Sequence, residues 1–356
     1  MASAERVATL RDVAEHAGVH VATASRALNE SQSHLVTEST RLRVLEAAES
    51  LGYRANALAR SLRRGRTGTL GVVVADFANP FIVTLLRGIE QETRSHDLLP
   101  LVAETRDDPA ALRSAIKRLL DNRVDAIVLT AAHLTDEAYV AQIAAQVPVV
   151  LAVRGFDIGQ ADGGPEVRFQ VMQDDYRGAC SAVQHLLDLG HRRIAQLPGS
   201  EQISSFVNRG RGFVDAIASQ PGAADLSTGS HASASTVAEG RRLTEELLRR
   251  PPEERPTAIF AHNDLMAVGA LDALQASDLS CPADVSVVGY NDAPLVDHMD
   301  PPLTTVKLPA LEIGRRSARL VIDAVAGITP AAPHSMILPE YIERGSTGPA
   351  PTPPAS

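Results

Sequence analysis

The segment 9–29 constrains the fold of this chain more than any other. Leu10, Val13, Ala14 and Ala17 recur at helical spacing, which gives a first short helix one apolar face. Thr9 stands where an N-cap belongs, and Asp12, three residues on, is the acid that answers it in a capping box. Gly18 permits a sharp turn. Residues 21–28 then form a second helix with Thr23, Ser25 and Arg26 on its polar side. The second helix of such a glycine-turned pair fits the major groove of duplex DNA.

A third helix is expected over 38–50, capped by Thr37, with Leu42, Leu45, Ala48 and Leu51 closing a three-helix core. Gly52 stops it. From Asn56 to about Leu62 one more short helix is expected, with almost no apolar face, and so marginal in isolation. Arg60, Arg63, Arg64 and Arg66 give it a basic flank. Charge follows the same division. The 356-residue chain carries a net −9, yet residues 1–66 hold ten Arg against seven Asp and Glu, or +3, leaving −12 for the remainder. A basic head on an acidic body places the attraction for a polyanion at one end.

From Thr69 onward, short apolar runs alternate with amphipathic helices, the pattern of a parallel sheet covered on both faces. The pattern runs once through about residue 153 and again from Tyr176 to Tyr290. Two such α/β units in tandem imply two lobes with a cleft at the carboxyl ends of their strands. Cys180 and Cys281 have no metal-ligand spacing and are expected to be reduced thiols. The first residues contain no apolar h-region and no run reaches transmembrane length, which gives a cytoplasmic expectation with no membrane partner. No phosphate loop, nucleophile elbow or metal cluster is present, and no cofactor is expected.

Seven pieces, in order, carry a resemblance: the helix-turn-helix, the linker Asn56-Ala-Leu-Ala-Arg-Ser-Leu62, Asn79-Pro-Phe81, His185-Leu-Leu-Asp-Leu-Gly-His191, His262-Asn-Asp264, Val288-Gly-Tyr-Asn-Asp292 and Leu303-Thr-Thr-Val306. Together they resemble the lactose-repressor (LacI) family of bacterial transcription regulators, from about Thr9 to Ser346. The resemblance implies an all-α helix-turn-helix DNA-binding head joined to an α/β, two-lobed, periplasmic-binding-protein-like effector domain. The expected boundaries are 1–54 for the head, 55–68 for a hinge helix and 69–344 for the two lobes. The first lobe takes about 69–156 and 303–328, the second about 163–293 and 334–344, and residues 345–356 form a disordered tail. Crossings between lobes are expected near 154–162, 293–303 and 327–334, with a strand at 336–338 in the second lobe.

By motif position the resemblance assigns DNA contacts to Thr9, His20, Val21, Ala22, Thr23, Ser25, Arg26, Asn29, Tyr53, Asn56, Ala59 and Leu62. Arg26 can reach a guanine edge with two donors, whereas Ser25 and Thr23 suit phosphates. Val21 and Ala22 can touch a thymine methyl, and relatives with this pair read palindromes with a central CG step. Leu62 is the apolar wedge that opens the minor groove. His20 also has a plainer reading, as an incidental polar residue that opens the recognition helix. Two departures stand out: Ala55 where the family has Pro, and Ala24 where Val is usual.

The same carry-over assigns the effector to Asp76, Phe77, Asn79, Phe81, Arg154, Arg209, Asn263, Asp264, Asn291 and Asp292. Amides, carboxylates and arginine suit sugar hydroxyls or a small anion, and an aromatic supplies a stacking face. The competing reading of the Asn and Asp pairs is that they cap helices and turns. Val153 stands where many sugar-responsive relatives place Asp. His185 and His191 are expected to be structural, and Asp107-Asp108-Pro109 a helix start. The expected protein is a homodimeric repressor of palindromic double-stranded operator DNA, governed by a small molecule such as a sugar that acts as inducer or as corepressor. A solute-binding protein shares the two-lobed fold but needs an export signal and no basic head, and a sugar-modifying enzyme needs a catalytic constellation that is missing here.

Overall fold

The computed structural model describes residues 8–53, 66–156 and 169–351. The chain divides at Thr67/Gly68 into two compact units. The hinge residues Asn56, Ala59 and Leu62 lie outside the described residues.

In the first unit, helices Leu10–His16, Val21–Ala27 and Glu38–Ser50 pack around a core of small side chains. Val13, Ala14, Ala17, Ala24, Ala27, Val44, Ala47 and Ala48 are all buried. The capping box forms as expected: the Thr9 hydroxyl accepts from the Asp12 amide, and the Asp12 carboxylate accepts from the Thr9 amide at 2.8 Å. Gly18 turns the chain at φ +64°. The third helix corrects the expected register. Ala48 and Leu51 pack on the core as expected, but Leu42 and Leu45 are 49% and 37% exposed, and Val44 and Ala47 face inward in their place. Apolar residues sit on both of these stripes, and only the packing of the first two helices selects one of them. Thr37 occupies the N-cap position but accepts no backbone bond there; its hydroxyl bonds Thr40 at 2.9 Å.

The second unit holds two parallel sheets. The larger contains β1 (Thr69–Val74), β2 (Leu99–Glu104), β3 (Ala126–Leu129), β4 (Val149–Ala152), β5 (Phe169–Gln173) and β11 (His334–Ile337), in the order β11-β5-β4-β3-β1-β2. The smaller contains β6 (Arg193–Leu197), β7 (Ala224–Asp225), β8 (Ala258–Ala261) and β9 (Ser286–Val288), in the order β7-β6-β8-β9. β10 (Thr305–Lys307) pairs with β12 (Glu340–Ile342) and bridges to the β9 side through Val288–Thr304 and Asn291–Lys307. In the larger lobe, helices Pro80–Arg94 and Ala310–Ala326 cross closely because Gly88 and Gly314 carry no side chain. A Cβ on either would lie 2.2 Å from a carbonyl oxygen of the facing helix.

This topology corrects the expected lobe boundaries and one strand. β5 and β11 both belong to the first lobe's sheet, so the strand placed near 336–338 in the second lobe is the edge of the first. The chain crosses beside Asp174, beside Leu308 and beside Leu338. Each crossing is later in sequence than expected, and Asp174 and Ile337 are joined there by a backbone bond of 2.9 Å. Pro309 and Pro339 directly follow two of these crossings, but the Gly- and Pro-rich stretches just upstream draw the expected boundaries too early, and the crossing at Asp174 has no Gly or Pro beside it.

The segment expected to be a disordered tail is built into the second lobe through Ala350. Ser346 is fully buried; its carbonyl accepts from Val287 N–H and its hydroxyl from Thr304 N–H, each at 2.8 Å. His191 lies beneath this strap, also fully buried, with its ring bonded to Thr257 Oγ1, Ser286 Oγ and the Gly348 carbonyl at 2.9, 3.1 and 3.0 Å. Backbone hydrogen bonding to β9 outweighs the polar composition that suggested disorder.

Asp264, at the first position of helix Asp264–Ala276, is the polar strut of the same lobe. Its carboxylate accepts from Ala293 N–H at 2.7 Å and from Thr305 Oγ1 at 2.6 Å, completely buried. Burial raises its pKa to about 6 against the lowering effect of these bonds.

Two outcomes are expected from urea unfolding. A chain ending at Arg344 should lose about 3 kcal/mol, because several buried groups lose their partners together; an unchanged midpoint would return 345–350 to a loose tail. Asp264→Ala should cost roughly 2–4 kcal/mol. Folding raises this carboxyl above its unfolded value of about 3.9. Its titration therefore contributes stability below about pH 4 that is lost as pH rises through about 6. The gap between wild type and Asp264→Ala should be wider at pH 4.5 than at pH 7.5, and a gap that grows with pH would contradict this.

Candidate functional site

The first unit presents one polar face from its second helix. His20, Ala22 and Arg26 are exposed, while Val21, Thr23, Ser25, Asn29 and Tyr53 are half-buried. Ala24 and Ala27 point the opposite way into the core. His20 has a structural task that the sequence reading missed: its Nδ1 accepts the Ala22 amide at 3.2 Å and caps the helix. Thr9 is held in its capping box, and Val21 and Tyr53 pack partly on the core. Arg26 remains the long cationic side chain on the open face.

In the second unit a cavity of about 310 Å³ opens between the lobes, at the carboxyl ends of both sets of strands. Asp76, Asn79, Phe81, Arg154, Arg209, Asn263 and Asn291 of the expected set line it. Phe77, Asp264 and Asp292 do not. Phe77 is 48% exposed on the outside of the loop after β1. Asp264 is the strut already described, and Asp292 pairs with Arg344 at 2.6 Å. Both aspartates brace the second lobe through partners distant in sequence, and the helix cap in the first pair is Asn263. Asn263 does both jobs, since its Oδ1 accepts the Met266 amide at 2.7 Å while the residue lines the cavity.

Arg209 is the cation at the centre. It is 3% exposed, lies over the Tyr290 ring at 3.8 Å, and donates Nε to Asp175 Oδ1 at 2.8 Å. A second donor goes to the His262 carbonyl. His262 is itself fixed, with Nδ1 accepting from the Gly199 amide at 3.2 Å and Nε2 on Gln196 Oε1 at 2.9 Å. Arg154, 8% exposed, forms a two-pronged pair with Asp107, the second prong at 3.1 Å. Burial would raise the Asp107 carboxyl, but His133 and the Arg154 charge and hydrogen bond hold it well below the usual carboxylate range. Arg106 at the rim pairs with Glu104 at 3.1 Å.

The sequence reading missed Arg106, Asp107, Thr130, Ser205, Phe206, Ser233 and Ser235, all of which line the cavity. Asp107 was read as part of a helix start, which is true of its neighbour: Asp108 caps helix Pro109–Asp121. Ser205 stands four residues before Arg209 on helix Ser204–Ser219, so helical spacing could have found it. Ser233 and Ser235 lie in a loop with no periodic signal. The aromatic wall comes from Phe206 and Phe81.

The model for bacterial regulatory proteins of the lacI family matches residues 9–56, and the model for a periplasmic binding protein-like domain matches residues 183–347. The chain is 31% identical over 347 residues to the HTH-type transcriptional repressor CytR of Escherichia coli strain K12, covering 96% of this chain and 97% of that one. It is 33% identical over 341 residues to the HTH-type transcriptional regulator GalS of Salmonella typhimurium strain LT2, covering 95% and 96%. Among solved structures, the lac repressor dimer bound to operator and the anti-inducer ONPF has a TM-score of 0.83 at 26% identity, covering 96% of this chain and 100% of that one. The complex of the transcriptional regulator CelR with cellobiose has a TM-score of 0.70 at 31% identity, covering 95% and 99%. With its helix-turn-helix head and two-lobed sensing domain, the chain belongs to the lacI family of bacterial regulatory proteins and is a DNA-binding regulator of transcription.

Proposed function

We propose that this regulator is a cytoplasmic, homodimeric repressor whose operator affinity is set by a neutral, hydroxyl-rich small molecule held between the lobes. The observation that carries the ligand class is internal charge balance. Arg154, Arg209 and Arg106 each have a carboxylate of the protein as partner, in Asp107, Asp175 and Glu104. At the two buried guanidinium groups, Arg209 and Arg154, an anion would have to displace Asp175 or Asp107, which is costly. The remaining wall is hydroxyl and amide, from Thr130, Ser205, Ser233, Ser235, Asn79 and Asn291, with Phe206 and Phe81 as apolar faces. Sugar hydroxyls both donate and accept, and match such a wall. The cellobiose complex of CelR, a fold relative, supports the same class.

Homodimerisation is supported by the edge strand β2. Leu99 and Val102 are 62% and 41% exposed there, and the neighbouring helix Pro80–Arg94 exposes Val83 at 46%. An open edge with apolar side chains is satisfied by a second copy through a two-fold axis. Two heads would then read two half-sites, with Arg26 on base edges, Thr23 and Ser25 on phosphates, and Leu62 wedged at the centre. We assign the chain no reaction of its own. The cavity carboxylates are already engaged, Asp107 by Arg154 and Asp76 by the Ala78 amide at 2.8 Å.

Selection from a pool of random duplexes at fixed salt tests the reading. Wild type should enrich a palindrome with a central CG step. On the selected duplex, Arg26→Ala should weaken binding at least about tenfold, the worth of one good bidentate contact. No enrichment, both alone and with pooled metabolites, would contradict it.

A further inference from the structure

Nine non-glycine residues among those described have positive φ, and four of them (Arg106, Asp107, Val153 and Asn291) line the cavity. Asp and Asn tolerate this region, but a β-branched residue does not. Val153, at φ +69°, is the β-branched member of the nine. The Arg154 amide bonds back to the Ala152 carbonyl at 2.7 Å, closing a three-residue turn of the strained, positive-φ kind. That turn swings Arg154 into the cavity, toward Asp107.

The Val153 amide bonds the Val171 carbonyl at 3.1 Å, and the turn's own carbonyl is held by Gln173, the last residue of β5. Its side-chain Nε2 donates to the Val153 carbonyl at 2.9 Å and to Asp175 Oδ2 at 2.6 Å. Asp175 in turn carries Arg209. Gln173 is 3% exposed, and among the described residues its Oε1 has no partner. A buried amide with an orphaned oxygen is less stable than an apolar side chain of the same size. Its two donated bonds are the return for that cost.

We infer that Gln173 is a positioning residue which clamps the strained Val153 turn, and that release of this turn withdraws Arg154 from the effector cavity. The clamp is tied through Asp175 to Arg209 on the opposite lobe, so a released turn would be felt across the cleft. Strained conformations persist where surrounding bonds over-determine them, and they gather at ligand clamps and switches. The inference rests on the proposed effector role of the cavity only for its significance in regulation. The clamp itself is a property of the ligand-free chain.

Hydrogen exchange read by mass spectrometry on the full-length, ligand-free protein tests it through a cycle of variants. Gln173→Leu should speed exchange in the peptide 149–156 about tenfold, with peptides of β1 and β8 unchanged. In a Val153→Gly background, where positive φ carries no strain, the same substitution should change that peptide less than twofold. Gln173→Met substitutes for Gln173→Leu if the latter fails to fold. Equal acceleration in both backgrounds would make Gln173 a packing residue and overturn the inference, as would no acceleration in either. Because no ligand is added, these outcomes bear on the clamp alone. Absence of any stabilising neutral solute would count against the effector reading instead.

Discussion

The arrangement depends most on the buried pair between Arg209 and Asp175. The pair takes one partner from each of two second-lobe helices and sits where the chain enters that lobe from the first. A guanidinium this deep needs a carboxylate, a carbonyl and an aromatic face together, and it has all three in Asp175, His262 and Tyr290. Each of those partners is fixed by something else. His262 is locked between Gly199 and Gln196, and Asp175 is braced by Gln173 from the end of β5. Removing either member of the pair would leave a buried charge without compensation, at the point where lobe geometry is set.

From this pair outward, the cavity is a place where the protein has satisfied its own charges before any ligand arrives. Arg154 and Asp107 repeat the pattern on the first lobe. The consequence is chemical. Such a wall offers directional hydrogen bonds with little net field, so it discriminates by the placement of hydroxyls rather than by charge. Arg106, Asp107, Val153 and Asn291 line the cavity with positive-φ backbone, at a local conformational cost that the rest of the lobes must offset.

Much of this was legible in the sequence. The head was the most legible part, because a capping box, a glycine turn and helical spacing all agree within some twenty residues. In the cavity, Asp76, Asn79, Phe81, Arg154, Arg209, Asn263 and Asn291 were found through motif position. The failures share a cause. Leu42 and Leu45 lie on one of two apolar stripes, and nothing local to the helix says which stripe packs. Asp264 and Asp292 sit in the same Asn-Asp motifs as Asn263 and Asn291, yet their partners, Thr305 and Arg344, are 41 and 52 residues away in sequence. Ser346 and Gly348 have tail-like composition, and β9, Thr304 and His191 give them order. Long-range partners decide each case, and a local pattern cannot report them.

The central claim, that the cavity is charge-balanced and therefore selects a neutral hydroxylated ligand, is tested most directly by thermal unfolding of the full chain. The panel should set neutral sugars and nucleosides beside sugar phosphates, sugar acids and small dicarboxylates at matched ionic strength. The account requires that the stabilising compounds be neutral, and that Arg209→Leu abolish the stabilisation. Stabilisation by the phosphorylated or carboxylated members alone would contradict it, because an anion would then be replacing Asp175 or Asp107 as the partner of a buried guanidinium.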